Sequence, residues 1–204
     1  LVKRSFMDTP ARIGEILLSK YRVERVLGQG GMGLVVAARH VELGQLYAIK
    51  LLLAAVLEHD EARERFLREA RAAAHLKSDH VARVHDVGRM ENGHPYMVME
   101  YLEGCDLKAY LARHGPLPVE EAVTFVLQAC DAISEAHSLQ IIHRDLKPAN
   151  LFLVRRRNGS PCVKVLDFGI SKQTGREEVD LTNTNMSLGS PLYMSPEQMS
   201  KAKT

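Results

Sequence analysis

The chain is poor in several features, and each gap excludes something. No apolar run extends beyond Leu51 to Leu57, far short of the roughly 20 residues that a helix needs to cross a bilayer. No secretory signal is visible, although the chain opens on Leu1 and not on Met. Excess charge is missing too. The 27 basic residues stand against 25 acidic ones, so neither nucleic acid nor an anionic membrane is expected as the main partner. Cysteine is scarce and odd in number. Cys105, Cys130 and Cys162 are scattered and lack metal-ligand spacing. They read as buried thiols in a reducing compartment, which points to the cytoplasm. There is no internal repeat and no low-complexity tract. With 204 residues the chain can bury one good core or two small ones. Its stop at Thr204, inside what reads as unfinished structure, suggests a fragment whose parent could carry a membrane segment further on.

What is present begins with strands. Tyr21 to Val26, Leu34 to Arg39 and Gln45 to Leu53 are β-prone and separated by a glycine cluster and a turn at Gly44. A helix is expected from Asp60 to Lys77, with Glu64 placed to pair with Arg68. Val81 to Val87 and Tyr96 to Tyr101 read as strands around a turn at Glu91-Asn92-Gly93. Beyond Leu102 helix takes over. Asp106 to Arg113 is a short helix closed by Gly115. Pro118 to His137 is a long one, striped by Ala122, Phe125, Ala129, Ala132 and Ala136. Leu151 to Val154 and Val163 to Leu166 form a hairpin around Asn158-Gly159. The order predicts an α+β protein of two lobes with a cleft between them: a flank over 1–20, a sheet with one helix over 21–102, and a mainly helical part over 103–204.

Chemistry concentrates in His143-Arg144-Asp145-Leu146-Lys147-Pro148-Ala149-Asn150 and Asp167-Phe168-Gly169. Asp145 can take a proton from an attacking hydroxyl, and Lys147 can neutralise a migrating phosphoryl group. Asn150 and Asp167 offer the hard oxygen donors that Mg²⁺ prefers. Gly28-Gln29-Gly30-Gly31-Met32-Gly33 is by itself no more than a hairpin tip. It lacks the Gly-Lys-Ser/Thr ending of a P-loop, and β-prone residues follow it where a dinucleotide fold needs a helix. The next strand places Ala48 and Lys50 on one face and Ile49 on the other. A glycine loop with a strand lysine suits a nucleoside triphosphate. Glu69 lies on a helical stripe with Ala62, Phe66, Ala73 and Leu76. A carboxylate there needs a cation, and Lys50 is the candidate. The alternative is a solvated edge position paired with Arg65.

In this order and spacing, the motifs from Tyr21 onward resemble the serine/threonine protein kinases, and Gly30 to Gly33 with Ser195-Pro196-Glu197-Gln198 resemble their bacterial, eukaryotic-like branch. The resemblance implies ATP and Mg²⁺ as cofactors and protein Ser/Thr hydroxyls as acceptors. It implies Asp145 and Lys147 as catalytic residues and Asn150 and Asp167 as metal ligands. Lys50, held by Glu69, would meet the α- and β-phosphates under the Leu27 to Gly33 loop. Glu100 and Leu102 would offer backbone groups to adenine, Met99 would back the pocket, and Asp106 would bind the ribose. Val35, Ala48 and Phe152 would sandwich the base, though core packing alone would also account for those three. Thr182 and Thr184 would be sites of autophosphorylation by self-association, read by Arg144, while Ser190 would bond Asp145 and Lys147. Arg155 to Arg157 reads as a solvated basic tip. The family's later helices do not follow Ser-Pro-Glu here. The piece alone is therefore expected to be inactive and poorly soluble, with the Pro118 to His137 stripe short of partners. Two rivals are a pseudokinase scaffold and a small-molecule kinase. The intact Lys50, Asp145, Asn150 and Asp167 argue against the first, and the long hydroxyl-rich segment before Pro196 argues against the second.

Overall fold

A computed structural model of the chain describes residues 10–30, 33–168 and 191–201. The chain divides into two compact units. One is Leu1–Lys77 with Ala82–Glu103, and the other is Ser78–Val81 with Gly104–Thr204.

The first unit is built on β1 (Ile16–Leu17), β2 (Tyr21–Gln29), β3 (Gly33–His40), β4 (Leu46–Leu52), β5 (Val84–Arg89) and β6 (Pro95–Glu100). They form an antiparallel sheet in the order β1-β2-β3-β4-β6-β5. Strand alternation sorts the side chains. Leu34, Val36, Ala38, Ile49, Leu51 and Val98 turn to one face and pack with Tyr21 and Val23 in a buried cluster. The other face carries Val35, Ala37, Ala48, Lys50, Met97 and Met99, which lie opposite one another across β3, β4 and β6. A bulge leaves Glu24 outside the cross-strand register, between the Val23↔Ala38 and Arg25↔Ala37 pairs. It turns Arg25 to the Ala37 face, where the guanidinium donates to the Tyr101 hydroxyl.

Among the described residues, two helices belong to this unit, the short α1 (Ala54–Leu57) and α2 (Asp60–Ala73). α2 packs against β5 and β6 through Phe66, Leu67, Ala70 and Ala73. It stops four residues before the expected end at Lys77. There His75 Nδ1 lies 2.7 Å from the Arg71 carbonyl oxygen, a side-chain donor at the helix terminus. Glu64 pairs with Arg89 at 2.5 Å and not with Arg68, because α2 lies beside β5. The strand expected from Val81 begins only at Val84, and Val81 makes an isolated bridge to Val165 instead.

The second unit holds β7 (Gly104–Asp106), α3 (Leu107–His114), α4 (Val119–Ser138), β8 (Leu151–Arg155), β9 (Pro161–Val165) and α5 (Pro196–Lys201). Its sheet has the order β7-β8-β9. Phe125, Ala129, Ala132 and Ala136 face inward on α4, which lies against β9, and Phe125 meets Leu107 and Val163. The stripe thus has its partners within the unit, contrary to the expectation that later helices must supply them. The open surface is the other side of α4, where Val119, Val123, Val126 and Leu127 are exposed. Cys130 lies on that open side, Cys105 is half-buried, and only Cys162 is a buried thiol. The edge of β9 is covered rather than bare. Gln128 Oε1 accepts from Val163 N–H at 2.7 Å, His80 Nδ1 meets the Val163 carbonyl at 2.9 Å, and Val165 N–H donates to the His80 carbonyl at 2.8 Å.

Candidate active site

Residues 143–150 form a loop that ends in a 3-10 turn, Pro148–Asn150, where proline suits the first turn because it lacks a donor. β8 follows at once. Lys147 Nζ lies 3.0 Å from Asp145 Oδ2. Asn150 Nδ2 donates to the Asp145 carbonyl at 2.8 Å and reaches Oδ2 at 3.3 Å. The loop therefore holds its own carboxylate with a cation and an amide. With its amide nitrogen turned to Asp145, Asn150 keeps Oδ1 as a hard donor. Asn150 also ties the loop to the segment after β9, because its carbonyl accepts from Leu166 N–H at 2.9 Å. That brings Asn150 near the stretch that carries Asp167.

Residue type and order alone assign His143 no role of its own within the motif. Its imidazole is buried, with 3% of its surface exposed. Nε2 donates to the Leu166 carbonyl at 2.8 Å, Nδ1 accepts from Asp145 N–H at 3.2 Å, and the ring lies tilted 5.0 Å from the buried Phe168. Both nitrogens act in this way only in the neutral tautomer. Burial pushes the imidazole pKa down from its ordinary value, outweighing the hydrogen bond to Leu166 and the nearby carboxylates of Asp145 and Asp167. His143 therefore aims Asp145 without adding charge. Arg144 and Asp167 both adopt left-handed backbone, with φ of 62° and 53°. Non-glycine residues there cost on the order of 1–3 kcal/mol each, and such strain concentrates at functional sites.

The remaining candidates divide between the units. In the second unit, the register sets Asp106 directly opposite Phe152. Asp106 also caps α3, and its Oδ1 accepts from Ala109 N–H at 2.8 Å. In the first unit, Lys50 stands on β4 opposite Val35 and Met97, with Ala48 two residues back on the same face. Glu69 lies on α2 with Oε2 shut off from solvent, which does not fit a solvated edge carboxylate. The Glu100 N–H donates to the Arg83 carbonyl at 2.9 Å, so that N–H is not left to meet a base. Leu102 is half-buried and Leu27 is exposed.

The glycines of the loop differ in their reasons. A Cβ on Gly33 would lie 2.7 Å from the Leu51 carbonyl oxygen, so packing demands this glycine. A Cβ on Gly28 or Gly30 would meet nothing within 4 Å. The fold makes no demand there, and bare backbone is left for a ligand to approach. Gly31, Met32, Thr182, Thr184 and Ser190 lie outside the described residues.

A sheet unit bearing a strand lysine, followed by a unit bearing the Asp145 loop, is the arrangement of a protein kinase domain. The family model described as "Protein kinase domain" matches residues 21–204, and the chain belongs to that family. Bacterial kinases are among its relatives. The chain is 42% identical over 193 residues to the serine/threonine-protein kinase pkn3 of Myxococcus xanthus, a match that covers 94% of this chain and 35% of that protein. It is 39% identical over 186 residues to the serine/threonine-protein kinase PrkC of Bacillus subtilis, covering 91% and 28%. The chain thus spans about a third or less of these relatives. Among solved structures, the PknI kinase domain of Mycobacterium tuberculosis aligns with a TM-score of 0.68 and 34% identity, over 80% of this chain and 65% of that one.

Proposed function

We propose that this chain carries the catalytic machinery for ATP- and Mg²⁺-dependent transfer of a γ-phosphoryl group to serine or threonine hydroxyls of proteins. The observation that carries the reading is the geometry of Asp145, flanked by Lys147 at 3.0 Å and by Asn150. The acceptor oxygen forms its bond to the γ-phosphorus as the bond to the ADP oxygen breaks, and Asp145 takes the hydroxyl proton. Lys147 offsets charge on the group in transit. Such chemistry needs positioning and electrostatics more than covalent help. The bare backbone of Gly28 and Gly30 and the cation of Lys50 fit a triphosphate, with Glu69 as the partner of Lys50. Val35, Ala48 and Phe152 suit the faces of adenine, the Glu100 carbonyl and Leu102 its edge, and Asp106 the ribose.

The donor set of Asn150 Oδ1 and the Asp167 carboxylate fits Mg²⁺, a hard cation that takes oxygen ligands alongside phosphates. When bound, Mg²⁺ would neutralise phosphate charge. Thr182 and Thr184 are proposed as sites of autophosphorylation through self-association, with Arg144 as the cationic reader and Ser190 bonding Asp145 and Lys147. Protein substrates and a reducing, cytoplasmic setting complete the proposal. No helix among the described residues is long and apolar enough to cross a membrane.

The test is Asp145→Asn in the full-length protein. Removing a general base costs roughly 10²- to 10⁴-fold in rate. Incorporation of labelled phosphate should fall on that scale while nucleotide binding persists. A rate near wild type would remove Asp145 from its role. Wild-type protein that binds Mg·ATP without incorporation would point to a scaffold instead.

A further inference from the structure

One hydrogen bond connects the start of α5 to the residue before Asp145, and two more fix the side chain that makes it. Ser195 and Gln198 form a reciprocal capping box, in which Ser195 Oγ accepts from Gln198 N–H at 3.4 Å and Gln198 Oε1 accepts from Ser195 N–H at 3.1 Å. This fixes which end of the Gln198 amide points away from the cap. That end, Nε2, donates to the Arg144 carbonyl at 2.8 Å across 54 residues of sequence, in a partly buried position. Arg144 is one of the left-handed residues, with φ of 62°. A backbone there relaxes unless something holds it, and the peptide in question leads directly into Asp145.

We infer that Gln198 is a positioning residue, which pins the Arg144 peptide in its left-handed state and so sets the direction of the Asp145 carboxylate. The inference rests on the kinase reading above and extends it. It makes the segment that ends at Ser195-Pro196-Glu197 a direct mechanical neighbour of the base. Glutamine is required rather than merely tolerated. Its oxygen satisfies the cap and its nitrogen satisfies the loop, and neither glutamate nor a short side chain can do both. In Gln198→Glu the cap acceptor remains, but a carboxylate oxygen faces the Arg144 carbonyl oxygen, so attraction becomes repulsion. Ser195→Ala removes one bond of the cap and leaves the contact to Arg144 in place.

The experiment measures phosphoryl transfer by the full-length protein from Mg·ATP to a mixture of serine- and threonine-containing peptides. Loss of one hydrogen bond to a partly buried acceptor translates into roughly a tenfold change. Gln198→Glu is therefore expected to lower the limiting rate about tenfold, with the half-saturating ATP concentration within twofold of wild type. Ser195→Ala should lower it less than threefold. A limiting rate unchanged in Gln198→Glu would overturn the inference. So would a loss of rate matched by an equal loss of ATP affinity and of thermal midpoint, which a merely structural role would produce. Wild-type protein without transfer would overturn the kinase reading and this inference together, whereas active wild type with indifferent variants overturns this inference alone.

Discussion

At the scale of the residue, His143 shows how a side chain can serve a site by staying neutral. Its folded pKa lies below the ordinary value of 6.5 because burial disfavours the cation. Above that value neither state binds the proton, and the imidazole contributes nothing to the dependence of stability on pH. As pH falls below 6.5, the unfolded chain takes up a proton that the folded one refuses, so stability is lost until the folded pKa is passed. The unfolding midpoint should therefore drop between pH 7.5 and pH 5.5, and His143→Gln should flatten that slope while lowering the midpoint at neutral pH. His85, also pushed down by burial, would keep part of the slope. A slope identical in both proteins would show that the His143 proton is not the one that matters. Asp145, Lys147 and Asn150 were legible in the sequence because they are near neighbours and their chemistry can be read from type and order. The part played by His143 was not, because its partners Leu166 and Phe168 arrive more than twenty residues later and only folding brings them close.

At the scale of the element, long β-prone and amphipathic segments were legible, while short ones took their form from neighbours. β1, α1 and β7 have too few residues to carry a periodic signal. β7 exists because β8 offers it an edge, and the pairing is tight. A Cβ on Gly104, whose φ is 157°, would lie 2.0 Å from the Leu153 carbonyl oxygen. No rotamer relieves a clash that involves only Cβ and backbone, so Gly104→Ala must push β7 away from β8. Overpacking of this kind costs roughly 1–3 kcal/mol or more. The loss should appear as a lower denaturant midpoint, whereas Gly28→Ala, with open space around its Cβ, should leave the midpoint nearly unchanged. Equal midpoints for the two variants would contradict the pairing described for β7. Asp106 has a dual reading at this scale. The sequence placed it by resemblance at a ribose, and the fold gives one of its oxygens to the N-terminus of α3.

At the scale of the whole molecule, the order of elements predicts one boundary, near residue 102. The chain passes from one compact unit to the other three times, because Ser78–Val81 belongs to the second unit. Those four residues are anchored by polar contacts that no sequence pattern announces. Ser78 N–H donates to Glu135 at 2.7 Å, its hydroxyl donates to Asp131 at 2.8 Å, and His80 brackets β9 from both ring and backbone. The protein is therefore not separable with a single cut. Cleavage between Glu103 and Gly104, at a specific protease site inserted there, would leave this tetrapeptide covalently on the other half and held to β9 by its hydrogen bonds alone. The two halves should remain associated after nicking, and the isolated 104–204 piece should bind a synthetic peptide spanning residues 76–83. The same peptide with Ser78 and His80 replaced by alanine should fail to bind. A 104–204 piece that folds cooperatively and ignores the peptide would mean that the second unit does not need the loan. In genetic terms, the sequence for this unit begins inside the reading frame of the other, so a recombination that exchanges one half for a relative's would have to carry a second, four-codon crossover to keep the second unit whole.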